Sequence, residues 1–252
     1  MNVWLLILPV TLLSAGCRSG PDATSARRFQ AAEEAFSAAS TPEDFERVGS
    51  MYQEILDGGF VSGTVLYNQG NAFMRAGRRG RAIAAWRQAQ RYRPRDPWLT
   101  ANLNQALGPQ AAAERSTFER IFFWQNWFSY SEKFRMTSGF LVLSLVVSLI
   151  GQMRPSAGFV SRLRFPALVL FVLSAVSTAW DWYRIEHVQH GVVIAKETIA
   201  RRGNSESYEP AYTQPLTNGV EFTVREQRGD WLLMELPDAG EGWIPARDAV
   251  IY

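Results

Sequence analysis

The histidines and the cysteine are the residues of this chain best suited to metal or covalent chemistry. There are two histidines, His187 and His190, whose spacing could place both rings on one face of a helix. A zinc site needs three or four ligands, and the nearby carboxylates, Asp181 and Glu186, are ordinary charges at the flank of an apolar segment. We therefore interpret this region as a polar linker and expect no metal and no cofactor.

Cys17 is the single cysteine, which excludes an internal disulfide and a cysteine metal site. It ends residues 1–17, whose apolar run has the length of a signal-peptide core and is too short to span a bilayer comfortably. The ending SAGC resembles the lipobox of bacterial lipoproteins, which makes Cys17 a candidate for lipidation. Ordinary signal cleavage and retention as a short anchor remain open, and all three place the following residues outside the cytoplasm.

The rest of the sequence has no catalytic signature. A phosphate-binding loop, a nucleophile elbow and a pair of zinc-binding histidines on one helix are all absent. We therefore expect a protein that is not an enzyme. Its function must then depend on how its elements are arranged.

Two uncharged apolar segments in the middle of the chain predict a membrane hairpin. We expect transmembrane helices over 136–153 and 165–183, because each segment with its flanks approaches about 20 apolar residues. A pair of buried helices in a soluble domain is the alternative, which the lack of any polar face disfavours. The aromatic residues of 118–135 predict an interfacial neck lying on the membrane or packed between membrane and domain.

Arginines in the hairpin 154–164 place it in the cytoplasm by the positive-inside rule, and the export signal agrees with this orientation. The expected location is therefore a bacterial cell membrane, with both soluble domains periplasmic or extracytoplasmic.

A helical repeat is predicted before the membrane segments. With Gly63 as position 1 of a 34-residue unit, the chain is similar to the tetratricopeptide repeat, and a weaker unit precedes it. We expect an all-α repeat domain over 26–108, with Thr41 capping one helix and Pro97 beginning the last. The residues that the repeat pattern assigns to helix packing and termination are Gly70, Phe73, Ala82, Trp86, Ala89 and Pro94. Gly77 is expected to supply the turn, and Gln69 departs from the pattern, which favours leucine there.

The same segment is rich in arginine, whereas the formal net charge of the chain is only +2. Solvated helix faces are one interpretation, and a basic patch for an acidic partner or anionic lipid is the other. Nucleic acid is not expected, since an exported domain rarely meets it. The candidates for partner binding are Arg75, Arg79, Arg87 and Arg91.

The last residues, 191–252, alternate short apolar and polar runs between turns marked TNG, RGD and PDAGEG. This part resembles a bacterial SH3-like domain, a small all-β barrel. Four aromatic residues could line a peptide or cell-wall groove, or the tryptophans could be core and the tyrosines surface. They are Tyr208, Tyr212, Trp231 and Trp243.

The order of these parts, with the motifs YNQGN, PRDPWLTANL and FFW, resembles the BatE proteins of the Bacteroides aerotolerance (Bat) group. The resemblance implies a multidomain membrane protein with a tetratricopeptide domain, two transmembrane helices and an SH3-like barrel. It also implies a scaffold that acts with von Willebrand A-domain membrane proteins and a MoxR-type ATPase in an envelope stress complex. A peptidoglycan-binding module acting through the SH3-like domain is the alternative function.

Overall fold

The computed structural model describes residues 22–108, 124–153, 158–237 and 239–252. Cys17 with the rest of the predicted export segment, residues 118–123 of the predicted neck and residues 154–157 of the predicted hairpin lie outside this range.

The described helices come first in the chain and the strands come last. The helices are α1 (Ala23–Ala38), α2 (Pro42–Asp57), α3 (Gly63–Arg75), α4 (Arg79–Tyr92), α5 (Pro97–Leu107), α6 (Trp124–Trp127), α7 (Tyr130–Met153) and α8 (Gly158–His187). The strands are β1 (Gln189–Val193), β2 (Glu197–Thr198), β3 (Leu216–Thr217), β4 (Glu221–Arg228), β5 (Trp231–Leu236), β6 (Gly240–Pro245) and β7 (Ala249–Ile251).

Local signals determine where several helices begin. Thr41 and Asp44 form a reciprocal capping box at the start of α2, with Pro42 in the first turn, as predicted. Asp96 caps α5, which begins at Pro97, also as predicted. Gly77 has φ +74° in the turn between α3 and α4, a conformation that glycine adopts without steric cost.

Two apolar clusters join consecutive helices of α1–α5. The first lies between α1, α2 and α3 around Tyr52, Ile55 and Val65. The second lies between α3, α4 and α5 around Leu66, Ile83 and Leu99. Because each helix pair contributes to a core shared with its neighbour, α1–α5 form one continuous layer of stacked helices.

Helices α7 and α8 are long and apolar enough to cross a membrane. Few residues of their apolar stretches are buried, and large side chains such as Leu173 face outward, which is unlike the core helices of a soluble domain. Polar contacts join the start of α7 to the end of α8, so the two helices are antiparallel. Helix α8 begins earlier than the predicted span, at Gly158.

The strands form a five-stranded antiparallel sheet in the order β6-β5-β4-β1-β7, and β2 and β3 form a separate pair. Leu232 and Met234 of β5 and Ile244 of β6 are fully buried and form part of the core of the sheet unit. Val192 of β1, in contrast, belongs to the second helical cluster. The chain is therefore a mixed protein in which the sheet is seated on the helical layer.

Candidate functional site

The sheet packs on the first turns of α4, at a contact that we call the junction (Arg79, Gly80, Arg87, Val193, Asn218 and Glu221). Gly80 is buried there, and a Cβ at this position would collide with the backbone carbonyl of Val193. The two backbones can therefore approach this closely only because Gly80 has no side chain.

Asn218 supplies the N-terminal cap of α4 from the sheet. The N-cap residue of this helix, Arg78, makes no side-chain capping bond. The Asn218 Oδ1 atom instead accepts a hydrogen bond from the Gly80 N–H at 2.8 Å, and its Nδ2 donates to the Ile194 carbonyl at 2.6 Å. The sheet thus satisfies one of the unpaired N–H groups at the helix start.

A bidentate ion pair forms the opposite side of the junction. Arg87 Nε and Nη2 donate to the two carboxylate oxygens of Glu221 at 2.7 and 2.8 Å, and Tyr252 Oη donates to the same carboxylate at 3.1 Å. Burial acts to lower the pKa of Arg87, but the hydrogen bonds and the charge of Glu221 outweigh it and the pKa is raised. Two charges held this way resist separation because each would lose its partner.

The predicted partner-binding arginines make contacts within the chain. Arg79 donates to the Ala106 and Asn218 carbonyls, Arg87 binds Glu221, and the Arg91 guanidinium lies 5.9 Å from the centre of the Tyr252 ring. Arg75 lies over the rings of Phe36 and Phe45, at 5.0 and 5.2 Å. The arginine face of α4 thus holds the sheet in place, a role that the sequence analysis did not foresee.

The two histidines do not share a helix face. His187 ends α8 and stacks on Tyr183, whereas His190 lies in β1 and faces the Tyr252 ring at 6.0 Å. Burial, and then the charges of Arg184 and Arg91, lower the pKa of His190. Within the described ranges no three His, Cys, Asp or Glu side chains are grouped as a metal site requires.

The residues assigned to repeat packing lie in the helical layer. The Trp86 indole occupies the space that a side chain at Gly70 would need, and its Nε1 donates to the Tyr67 carbonyl at 3.2 Å. Phe73 covers Gly49 in the same way. Ala82 and Ala89 are fully buried, and Pro94 follows the end of α4.

A row of polar side chains crosses α1, α3 and α5, and we call it the inner face (Glu33, Tyr67, Asn68, Asn71 and Asn102). Glu33 accepts a hydrogen bond from Asn68 at 2.6 Å, and Asn102 donates to Asn71 at 3.1 Å and to the Tyr67 hydroxyl at 3.4 Å. The asparagines are half-exposed, so their remaining donors and acceptors can reach a bound partner. The sequence analysis missed this row, although Asn68 and Asn71 are three residues apart on α3.

Buried polar contacts fix α6, in the predicted neck, to the hairpin of α7 and α8. Lys133 is only 5% exposed, and its Nζ donates to Asp181 at 2.5 Å and to the Gln125 carbonyl at 2.6 Å. Gln125 of α6 also bonds Ser177 and Asp181 of α8. Charges this deeply enclosed are costly unless paired, so the network holds α6, α7 and α8 in one arrangement.

A second contact links the hairpin to the helical layer. The Arg95 guanidinium bonds Glu132 at 2.5 Å and lies 5.4 Å from the centre of the Phe128 ring. One residue separates the end of α8 from the start of β1. Because the Arg95 contact is at the start of α7, beside the end of α8, the sheet and α1–α5 lie at the same end of the hairpin.

The four aromatic residues predicted to line a groove differ in burial and in the residues they contact. Trp243 is buried, pairs by its backbone with Arg201 and is covered by the Arg228 guanidinium. Tyr212 donates its hydroxyl to the Gly240 carbonyl. Tyr208 is exposed and packs on Gly203, whereas Tyr212 and Trp231 are half-buried.

Comparisons with family models, with curated proteins and with solved structures found no match to this chain.

Proposed function

We propose that the protein is a non-catalytic scaffold, anchored in a bacterial cell membrane, that binds protein partners on the extracytoplasmic side. The observation that carries this proposal is the arrangement at the end of the hairpin. The sheet is fastened to α4 at the junction, and the half-exposed amides of the inner face lie on other helices of the same layer. A rigid platform held at a membrane surface suits the recruitment of other proteins.

Several features favour a tetratricopeptide array for α1–α5 and an SH3-like barrel for the sheet. Consecutive helices share cores, Trp86 packs on Gly70, and a glycine turn separates α3 from α4. The sheet is small, antiparallel and formed by short strands. We include these two fold types, the tetratricopeptide array and the SH3-like barrel, in the proposal.

The partners proposed are the von Willebrand A-domain membrane proteins and the MoxR-type ATPase system of the Bat group, together with membrane lipid around α7 and α8. They rest on the resemblance to BatE proteins in the order of parts and in the motifs YNQGN, PRDPWLTANL and FFW. Lipidation of Cys17 would add a second anchor.

Co-purification from native membranes tests the proposal. After cross-linking, the wild-type chain should bring down von Willebrand A-domain proteins, and Asn71→Arg should reduce their recovery because it fills the inner face with a charged side chain. Asn204→Arg makes the same change at an exposed asparagine of the sheet unit and is the control. Equal recovery with both variants would remove the inner face from the proposal.

The peptidoglycan-binding alternative is favoured by one observation, the exposed ring of Tyr208 in the sheet unit. The purified full chain should then sediment with isolated sacculi, and Tyr208→Ala should abolish sedimentation. A wild-type chain that stays soluble with sacculi would eliminate this function.

A further inference from the structure

A second surface lies on the side of the helical layer formed by α2 and α4, where β7 closes one end. We call it the outer cleft, a depression of about 450 Å³ between the two helices. Phe73, Ala84 and Ala85 contribute apolar atoms, and Val250 of β7 contributes another wall. Because part of the wall comes from the sheet, the cleft is complete only when the sheet is seated at the junction.

Gln69 is the unusual residue of this cleft. It is a polar side chain only 3% exposed, at a position where the repeat pattern favours leucine. Its Nε2 donates to Gln53 Oε1 at 2.8 Å and approaches the Gly49 carbonyl at 3.4 Å. No described residue donates a hydrogen bond to its Oε1, which is not a fully enclosed atom and is therefore reachable from the cleft that Gln69 lines. An accessible amide oxygen without a protein partner can accept a hydrogen bond from a bound molecule.

The rim adds further groups that are not engaged within the described chain. The Gln88 side chain makes no hydrogen bond to any described residue, and the Glu54 carboxylate pairs with no described cation. Asp57 accepts one bond from Gln53 and also lacks a cation partner there. The one arginine of the lining, Arg81, lies 3.7 Å from Glu46 and over the Phe73 ring, so acidic charge is in excess.

We propose that the outer cleft binds an extended polypeptide segment that carries a basic side chain next to an aliphatic one. Gln69 Oε1 accepts a backbone N–H of the segment, and the Gln88 amide pairs with its backbone, since a polypeptide presents both donors and acceptors. Glu54 and Asp57 attract the basic side chain, and Phe73 with Val250 receives the aliphatic one. The proposal deepens the scaffold function and rests on it.

A defined probe for the cleft is a phage-displayed library of random linear heptapeptides, selected against the purified full chain in nanodiscs. The affinity of a selected peptide is then measured by fluorescence polarisation. Selected peptides should share a Lys or Arg beside an aliphatic residue. Gln69→Leu should weaken binding about tenfold, as expected for loss of one enclosed hydrogen bond, and Glu54→Gln should weaken it about threefold.

The variants should fold as the wild type does. Leucine matches the repeat pattern at position 69 and has nearly the volume of glutamine, so Gln69→Leu should keep the wild-type circular dichroism. Gln105→Leu makes the same change at an exposed position of α5 and should leave the affinity unchanged.

Two results would overturn the proposal. One is a selection that enriches no peptide. The other is a selected peptide that binds Gln69→Leu as tightly as wild type, and loss of its binding with Asn71→Leu would then assign it to the inner face. Either result leaves the scaffold function standing if von Willebrand A-domain proteins still co-purify with Gln69→Leu.

Discussion

Replacement of Asn218 by alanine should loosen the start of a helix that lies in the other half of the molecule. The substitution removes the acceptor of the Gly80 N–H and the donor to the Ile194 carbonyl, at 2.8 and 2.6 Å. The Gly80 bond crosses the junction and contributes a net free energy of about 0.5–1.5 kcal/mol to docking of the sheet on α4, whereas the Ile194 bond lies within the sheet unit and orients the amide. Since 1.4 kcal/mol is a factor of about ten, the docked-to-undocked ratio should fall about 2- to 12-fold.

Amide hydrogen exchange measures this effect directly. In Asn218→Ala the Gly80 amide should exchange faster by the same factor, because opening of the junction exposes an N–H that no residue of its own helix satisfies. Asn218→Asp keeps an acceptor and adds negative charge at the helix start, but it places a carboxylate oxygen against the Ile194 carbonyl, so protection of Gly80 should fall between that of Asn218→Ala and that of the wild type. Asn204→Ala, at an exposed position of the sheet unit, is the matched control.

Wild-type exchange at Gly80 in Asn218→Ala would refute the reasoning. It would mean that the sheet does not cap α4, and that the short distances at the junction contribute no measurable free energy.

Two other perturbations test the contact between the sheet and the helical layer. Gly80→Ala should gain up to about 1 kcal/mol of helix propensity but lose about 1–3 kcal/mol to the collision of its Cβ with the Val193 carbonyl. The urea midpoint should therefore fall, and a rise would contradict the close approach of the two backbones. His190 has a lowered pKa in the folded chain because of burial and the charges of Arg184 and Arg91. Its contribution to stability is therefore complete above the unfolded value of about 6.5 and is lost as the pH falls below it. The urea midpoint of the wild type should drop more between pH 7.5 and 5.5 than that of His190→Gln. The same drop in both proteins would show that folding does not lower the pKa of His190.

The features that the sequence predicts well depend on near neighbours. The cap at Thr41, the helix start at Pro97 and the turn at Gly77 each follow from a few adjacent residues. The two helices that could cross a membrane follow from uninterrupted apolar runs. Such signals are local, so a single chain segment contains them completely.

The junction could not be predicted because its partners are far apart in sequence. Arg87 and Glu221 form an ion pair across the two halves of the chain, and nothing near Arg87 indicates which carboxylate it meets. An arginine-rich helix has the same composition whether it faces solvent, lipid or another domain. From the sequence, the arginines could therefore be interpreted only as solvated helix faces or as a patch for an external partner.

The inner face and the outer cleft show the same limit. Asn71 and Asn102 become neighbours only when α3 and α5 stack. Gln69 departs visibly from the repeat pattern, but its meaning depends on Gln53 of α2 and on the cleft that β7 completes. A departure from a pattern indicates where to look, and the tertiary contacts indicate what the residue can bind.

Photo-cross-linking from the inner face tests the scaffold function most directly. A photoreactive amino acid is placed at Asn71, and in a second protein at the exposed control position Asn204, and each is irradiated in the native membrane. The account predicts that position 71 becomes covalently joined to a von Willebrand A-domain membrane protein and that position 204 does not. Cross-links from position 71 to lipid alone, or the same products from both positions, would contradict it.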